Sequence, residues 1–169
     1  LYSAFVYAEK LKAKEEIMSS LVISVNSGSS SLKFQLFDMP SEKVITSGQA
    51  ERIGQDMGQF TIKVNGEKKV QKLPLPDHQT AVNLLLKSLL DYKIVDSLDE
   101  IKAAGHRIVQ GGPYFKESVV VTDDVVEKVD ELSDLAPLHN PAHLVCYEAF
   151  KKALPNIGHV FVFDTAFHQ

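Results

Sequence analysis

The chain has 169 residues, 44% of them hydrophobic and 24% charged, with a net charge of −4. That balance is ordinary for a globular domain with enough length to bury a real core; it lacks the basic field of a nucleic-acid binder, and no apolar run approaches the ~20 residues of a membrane span. A single cysteine, Cys146, excludes an internal disulfide and any multi-cysteine metal site, as expected for a reducing cytoplasm.

Within residues 1–17, the stretch Glu9–Ile17 is helix-prone, with Lys10, Lys12 and Lys14 interleaved with Glu9, Glu15 and Glu16. Residues 1–17 read as an appendage, either non-native or an N-terminal helix, ahead of a domain over residues 18–169. Leu21-Val22-Ile23-Ser24-Val25 is a β-rich run ending at the small-residue turn Asn26-Ser27-Gly28-Ser29-Ser30-Ser31. Residues 32–37 set Leu, Phe, Leu against Lys, Gln, Phe, the alternation of a strand with one buried face, paired back through the serines. Further strands are expected over 43–52, 59–64 and 68–73, the last two joined by Asn65-Gly66, a strong two-residue turn signal. The first third is therefore a β-meander.

The period then changes. Asp77 can cap a helix to about residue 92, with Ala81, Leu84, Leu85, the pair Lys87-Ser88 and Leu89 along one face. Residues 103–109 read as a strand broken by Gly111-Gly112-Pro113, and Val119-Val120-Val121 as a short β run. Thr122 or Asp123 caps a helix to about residue 135, and Pro141 opens another to about residue 154. Val160-Phe161-Val162-Phe163 is continuously apolar, which predicts a strand buried on both faces. Strands, helix, strand, helix pair, strand give an α/β architecture: a mixed sheet covered by helices.

Four places could carry chemistry. The turn over residues 26–31 gathers backbone N–H groups and hydroxyls that suit phosphate oxygens, or it is a plain hairpin turn of common turn formers. Arg107, in Gly105-His106-Arg107, is unusual on an apolar strand: a buried guanidinium there needs a carboxylate or phosphate, from a ligand or from an internal ion pair. His139, between Pro137 and Pro141 at a helix start, either donates to a phosphoryl group or packs and caps. Asp164 ends the last apolar strand, where ligands of α/β sheets gather, or caps a following helix. His106 and His143 read as structural and His78 as exposed.

Read together and in order, these segments resemble the acetate kinase family. The match is carried by Val25-Asn26-Ser27-Gly28-Ser29-Ser30-Ser31-Leu32-Lys33-Phe34, Gly105-His106-Arg107-Ile108-Val109, Ala136-Pro137-Leu138-His139-Asn140-Pro141 and Val162-Phe163-Asp164-Thr165-Ala166-Phe167-His168-Gln169. The resemblance runs from about Met18 to the last residue. It implies an actin-like, ribonuclease H-like fold with two domains, and reversible transfer of the ATP γ-phosphoryl group to acetate with Mg2+, giving acetyl phosphate and ADP. It further implies a cytoplasmic enzyme that forms a homodimer and has no nucleic-acid or membrane partner. Catalytic roles then fall to Arg107, His139 and Asp164, and acetate binding to Arg107 with Val109 and Leu138 around the methyl group. Ser29, Ser31 and Lys33 would line the phosphate region, and Asn26 would lie by the metal. Gln110 stands where many relatives carry His. The family's second histidine motif, second catalytic arginine, metal-supporting glutamate and nucleotide domain are expected beyond Gln169, so this chain would supply part of a site and be inactive alone. A propionate or butyrate kinase, or a non-catalytic module that binds acyl phosphate, remain the alternatives.

Overall fold

The computed structural model describes residues 20–109, 111–112, 115, 118–134 and 140–163. Residues 1–17, Gln110, Leu138, His139 and Asp164 lie outside them.

The described residues form one eight-stranded sheet. Its strands are β1 (Ser20–Ser27), β2 (Ser31–Met39), β3 (Lys43–Glu51), β4 (Gly58–Val64), β5 (Glu67–Leu73), β6 (Ile101–Ile108), β7 (Val119–Val120) and β8 (Gly158–Phe163). The helices are α1 (His78–Asp91), α2 (Asp123–Glu131) and α3 (Asn140–Ala153). Strand order is β5-β4-β3-β2-β1-β6-β8-β7. β1 to β5 form the expected antiparallel meander; β6 and β8 then extend the sheet in parallel from β1.

Local chemistry accounts for most boundaries. At Asn65-Gly66 both residues hold positive φ, 52° and 82°, the backbone a type I′ turn requires. Asp77 caps α1, its Oδ1 accepting from the Thr80 backbone N–H at 2.8 Å, which satisfies one of the orphan donors of the first turn. Thr122 does the same for α2 through Val125 N–H. That helix stops at Glu131 and tightens into a 3-10 turn over Leu132–Asp134, shorter than its apolar spacing predicts.

Alternation along the strands sorts side chains onto two faces. Ile23, Val25, Leu32, Phe34 and Leu36 face α1 and α3 and form the main core with Leu85, Leu89 and Phe150. Phe161 and Phe163 pack on that same side against Val125 and Val129 of α2. Val22, Phe37, Ala103, Val160 and Val162 make a smaller apolar cluster on the opposite face, so β8 is buried on both sides, as its solid apolar run predicts. Lys87 does not join the apolar face of α1: it is exposed, its Nζ 2.9 Å from Asp91 one turn on, and Val82 and Leu86 are buried instead. Gly48 on β3 is a place where only glycine fits, because a Cβ would run into the Thr61 carbonyl and the Phe34 ring.

Candidate active site

The carboxyl ends of β1 and β6 lie side by side, and their parallel register sets Val25 beside His106. One residue on, both strands turn a polar side chain onto the face away from the helices. There Arg107 Nη1 donates to Asn26 Oδ1 at 3.1 Å, across 81 positions of sequence. Arg107 is exposed. The expectation of a buried guanidinium is therefore corrected: the strand is apolar, but this side chain stands at its open end, where it needs no burial to be held.

The β1–β2 turn beside this pair is held from several directions. Gly28 N–H donates to Ser31 O at 2.9 Å, and Ile53 N–H donates to Ser30 O at 2.9 Å. His78 Nε2 donates to the Gly28 carbonyl at 2.8 Å. His78 is buried at 6% exposure, which overturns the reading of it as a surface residue. As the first residue of α1, it is aimed at the turn by the Asp77 cap, so the helix start and the turn position one another. Nothing local in the sequence signals this contact. Ser29 stays exposed and Ser31 half-buried. Ser27 points the other way, toward Cys146, whose thiol is pushed up to about 12 by burial against a smaller opposing pull from the Ser27 hydroxyl. That thiol is protonated and inert at neutral pH.

From the Arg107–Asn26 pair a cleft of about 520 Å3 runs across the open face of β1 to β5. Asn26, Lys33, Gln49 and Thr61 are successive register partners across its upper row. Ser24 and Gln35 are partners in the row below, which continues through Ser47 on β3 to the pair Lys63 and Lys68 on β4 and β5. The lining holds Lys33, Lys63, Lys68 and Arg107 and no carboxylate, so its field favours anions. Asn26, Lys33 and Arg107 are thus brought into one cleft, while Ser29, Ser31 and Val109 stand outside its lining. Lys63 and Lys68 were not anticipated; the signal available was the alternation of polar residues along β4 and β5.

Beneath Arg107, on the helix side, His106 Nε2 lies 3.0 Å from His159 Nδ1, ringed edge-on by Tyr147, Phe150 and Phe161. Burial first, then the neighbouring His159 and His143, hold the His106 pKa well below its ordinary value. Burial likewise lowers His159 to about 4, against the pull of the Leu154 carbonyl. Both rings are neutral at pH 7, one donating to the other, and they support the Arg107 strand from below.

Comparison with known proteins identifies the family. A model of the acetokinase family matches residues 21–169. The chain belongs to the acetokinase family. It is 57% identical over 150 residues to the acetate kinase of Bacillus cytotoxicus, a match covering 89% of this chain and 38% of the relative. It is 55% identical over 148 residues to that of Anoxybacillus flavithermus, covering 88% and 37%. Among solved structures, Porphyromonas gingivalis acetate kinase superposes with a TM-score of 0.85 at 44% identity, and a propionate kinase from Francisella tularensis with 0.82 at 36%; each match covers 88% of this chain and 38% of the other. The chain thus spans about 38% of the length of the curated relatives it matches. The mixed sheet with helices is the actin-like, ribonuclease H-like fold that the motifs implied. Among the described residues no helix is long and apolar enough to cross a membrane.

Proposed function

We propose that residues 18–169 are the N-terminal domain of a longer enzyme that transfers the γ-phosphoryl group of ATP to acetate, reversibly. The observation that carries this reading is the Arg107–Asn26 pair at the mouth of a cleft lined by four cations and no carboxylate. In the transfer, a carboxylate oxygen of acetate attacks the γ-phosphorus in line. The bond to the β-phosphate oxygen breaks, and its electron pair leaves with ADP. No protein nucleophile is needed, so catalysis rests on positioning and on stabilising charge.

Each residue has a part in that scheme. The guanidinium of Arg107 takes two oxygens of the carboxylate or of the phosphoryl group in transit; Asn26 fixes its orientation. Lys33, the register partner of Asn26, supplies a mobile point charge beside it. The β1–β2 turn, held by Gly28, Ser31 and His78, presents Ser29 and Ser31 to phosphate oxygens. His139 is assigned to stabilising the transferring group and Asp164 to organising the charge around the metal. Val109 and Leu138 are assigned to the acetate methyl.

Magnesium fits as a companion of the substrate rather than a caged ion. It keeps waters and phosphate oxygens with few protein ligands, and the Asn26 amide oxygen retains a second lone pair beyond the one facing Arg107. When bound, the ion neutralises charge on the phosphoryl oxygens. The complete enzyme would act as a homodimer in the cytoplasm.

The test is formation of acetyl phosphate from ATP, Mg2+ and acetate by the full-length protein, trapped as the hydroxamate. Activity is expected, with kcat/KM falling on the order of 10²–10³-fold in Arg107→Ala, as when one stabilising donor is removed. No product from the full-length protein rejects the reading. The similarity to a propionate kinase keeps the longer acid in play, since one methylene is worth only ~1–3 kcal/mol; kcat/KM for the two acids ranks them.

A further inference from the structure

The far end of the cleft carries a charge arrangement that the transfer reaction does not use. Lys63 on β4 and Lys68 on β5 are direct cross-strand partners, and both are exposed on the cleft face. Like charges placed directly opposite destabilise an antiparallel pair, so this pairing costs the hairpin stability unless an anion lies between them. Nearby carboxylates are engaged elsewhere. Glu67, on the same hairpin, pairs with Lys69 on the reverse face at 3.3 Å, and Glu51 accepts from Gln49 Nε2. Among the described residues neither Lys63 nor Lys68 has an ion-pair partner. Lys33, on β2, shares their face. Two strand spacings of ~4.8 Å and a two-residue offset of ~3.4 Å per residue set its backbone roughly 12 Å from that of Lys63, with the hydroxyl-bearing Ser47 and Thr61 between. A single phosphate can meet one end of this strip. A linear chain of phosphates can meet both ends at once and place its bridging charges over the hydroxyls.

We propose that the Lys33–Lys63–Lys68 strip is a binding site for a linear phosphate chain, either free or carried as the tail of a nucleotide. The site stands on charge and register; it shares Lys33 with the proposed transfer reaction, while Lys63 and Lys68 belong to it alone.

Calorimetric titration of the purified protein with inorganic tripolyphosphate, orthophosphate and ATP tests it, with thermal melts alongside. Tripolyphosphate is expected to bind at least tenfold more tightly than orthophosphate. The Lys63→Ala/Lys68→Ala double variant should weaken it at least tenfold, and Lys69→Ala on the reverse face should leave it unchanged. Lys68→Glu gives Lys63 an opposite charge: it should raise Tm without ligand and remove the Tm rise that tripolyphosphate produces in the parent protein. Tighter binding of free tripolyphosphate than of ATP assigns the site to free chains, and the reverse assigns it to nucleotide tails. Equal affinity for ortho- and tripolyphosphate, or undiminished binding in the double variant, overturns the proposal. Acetyl phosphate formation without tripolyphosphate binding would sink this site alone, and binding without formation would sink the transfer reading alone.

Discussion

The two faces of the sheet are built from the same strands and obey different rules. On one face Ile23, Val25, Leu32, Phe34 and Leu36 are locked beneath the helices, where a change of one methylene is felt. On the other, their immediate neighbours Ser24, Asn26, Lys33 and Gln35 line an open cleft. Because the side-chain period is two, burying the first set fixes the register of the second. The core face thus acts as a jig that holds chemistry on the open face.

Neighbouring positions on β2 give the largest expected contrast. Leu36→Ala removes a fully buried side chain and should cost about 2–5 kcal/mol in urea unfolding. Gln35→Ala, next to it and exposed, should stay within about 0.5 kcal/mol. Equal losses would break the distinction between the faces.

Acid should act chiefly through the helix-packed side. His106, His143 and His159 are buried there, with Lys151 the nearby cation that lowers His159 further. In the unfolded chain a histidine takes up its proton near pH 6.5, whereas His159 does so only near 4 when folded. Unfolding therefore binds protons in that interval. Stability is full above about pH 6.5 and falls as pH drops toward 4, by about 3 kcal/mol from His159 alone. Urea midpoints measured across this range should show the slope, and His159→Gln should flatten it; an unchanged slope would remove His159 as its source.

The smallest expected effect joins the two faces. Asp77→Ala removes the cap of α1 and should cost about 1 kcal/mol. Since His78 begins that helix and holds Gly28, amide exchange in the β1–β2 turn should quicken as well. Faster exchange confined to the helix would sever the proposed link between helix start and turn.

Much of the fold is legible locally. The period-two runs gave the five-stranded meander, Asn65-Gly66 its tightest hairpin, and Asp77 and Thr122 the helix starts, because each depends on residues only a few positions apart. The ordered motifs likewise pointed to Asn26, Lys33 and Arg107, which do share a cleft. Tertiary structure alone decided what lies far apart in sequence: the Arg107–Asn26 bond across 81 positions, the burial of His78 against a turn 50 residues upstream, and the four cations of the cleft. Strand order and register bring those groups together, and both are set by long-range burial of the alternate side chains, which no local pattern records.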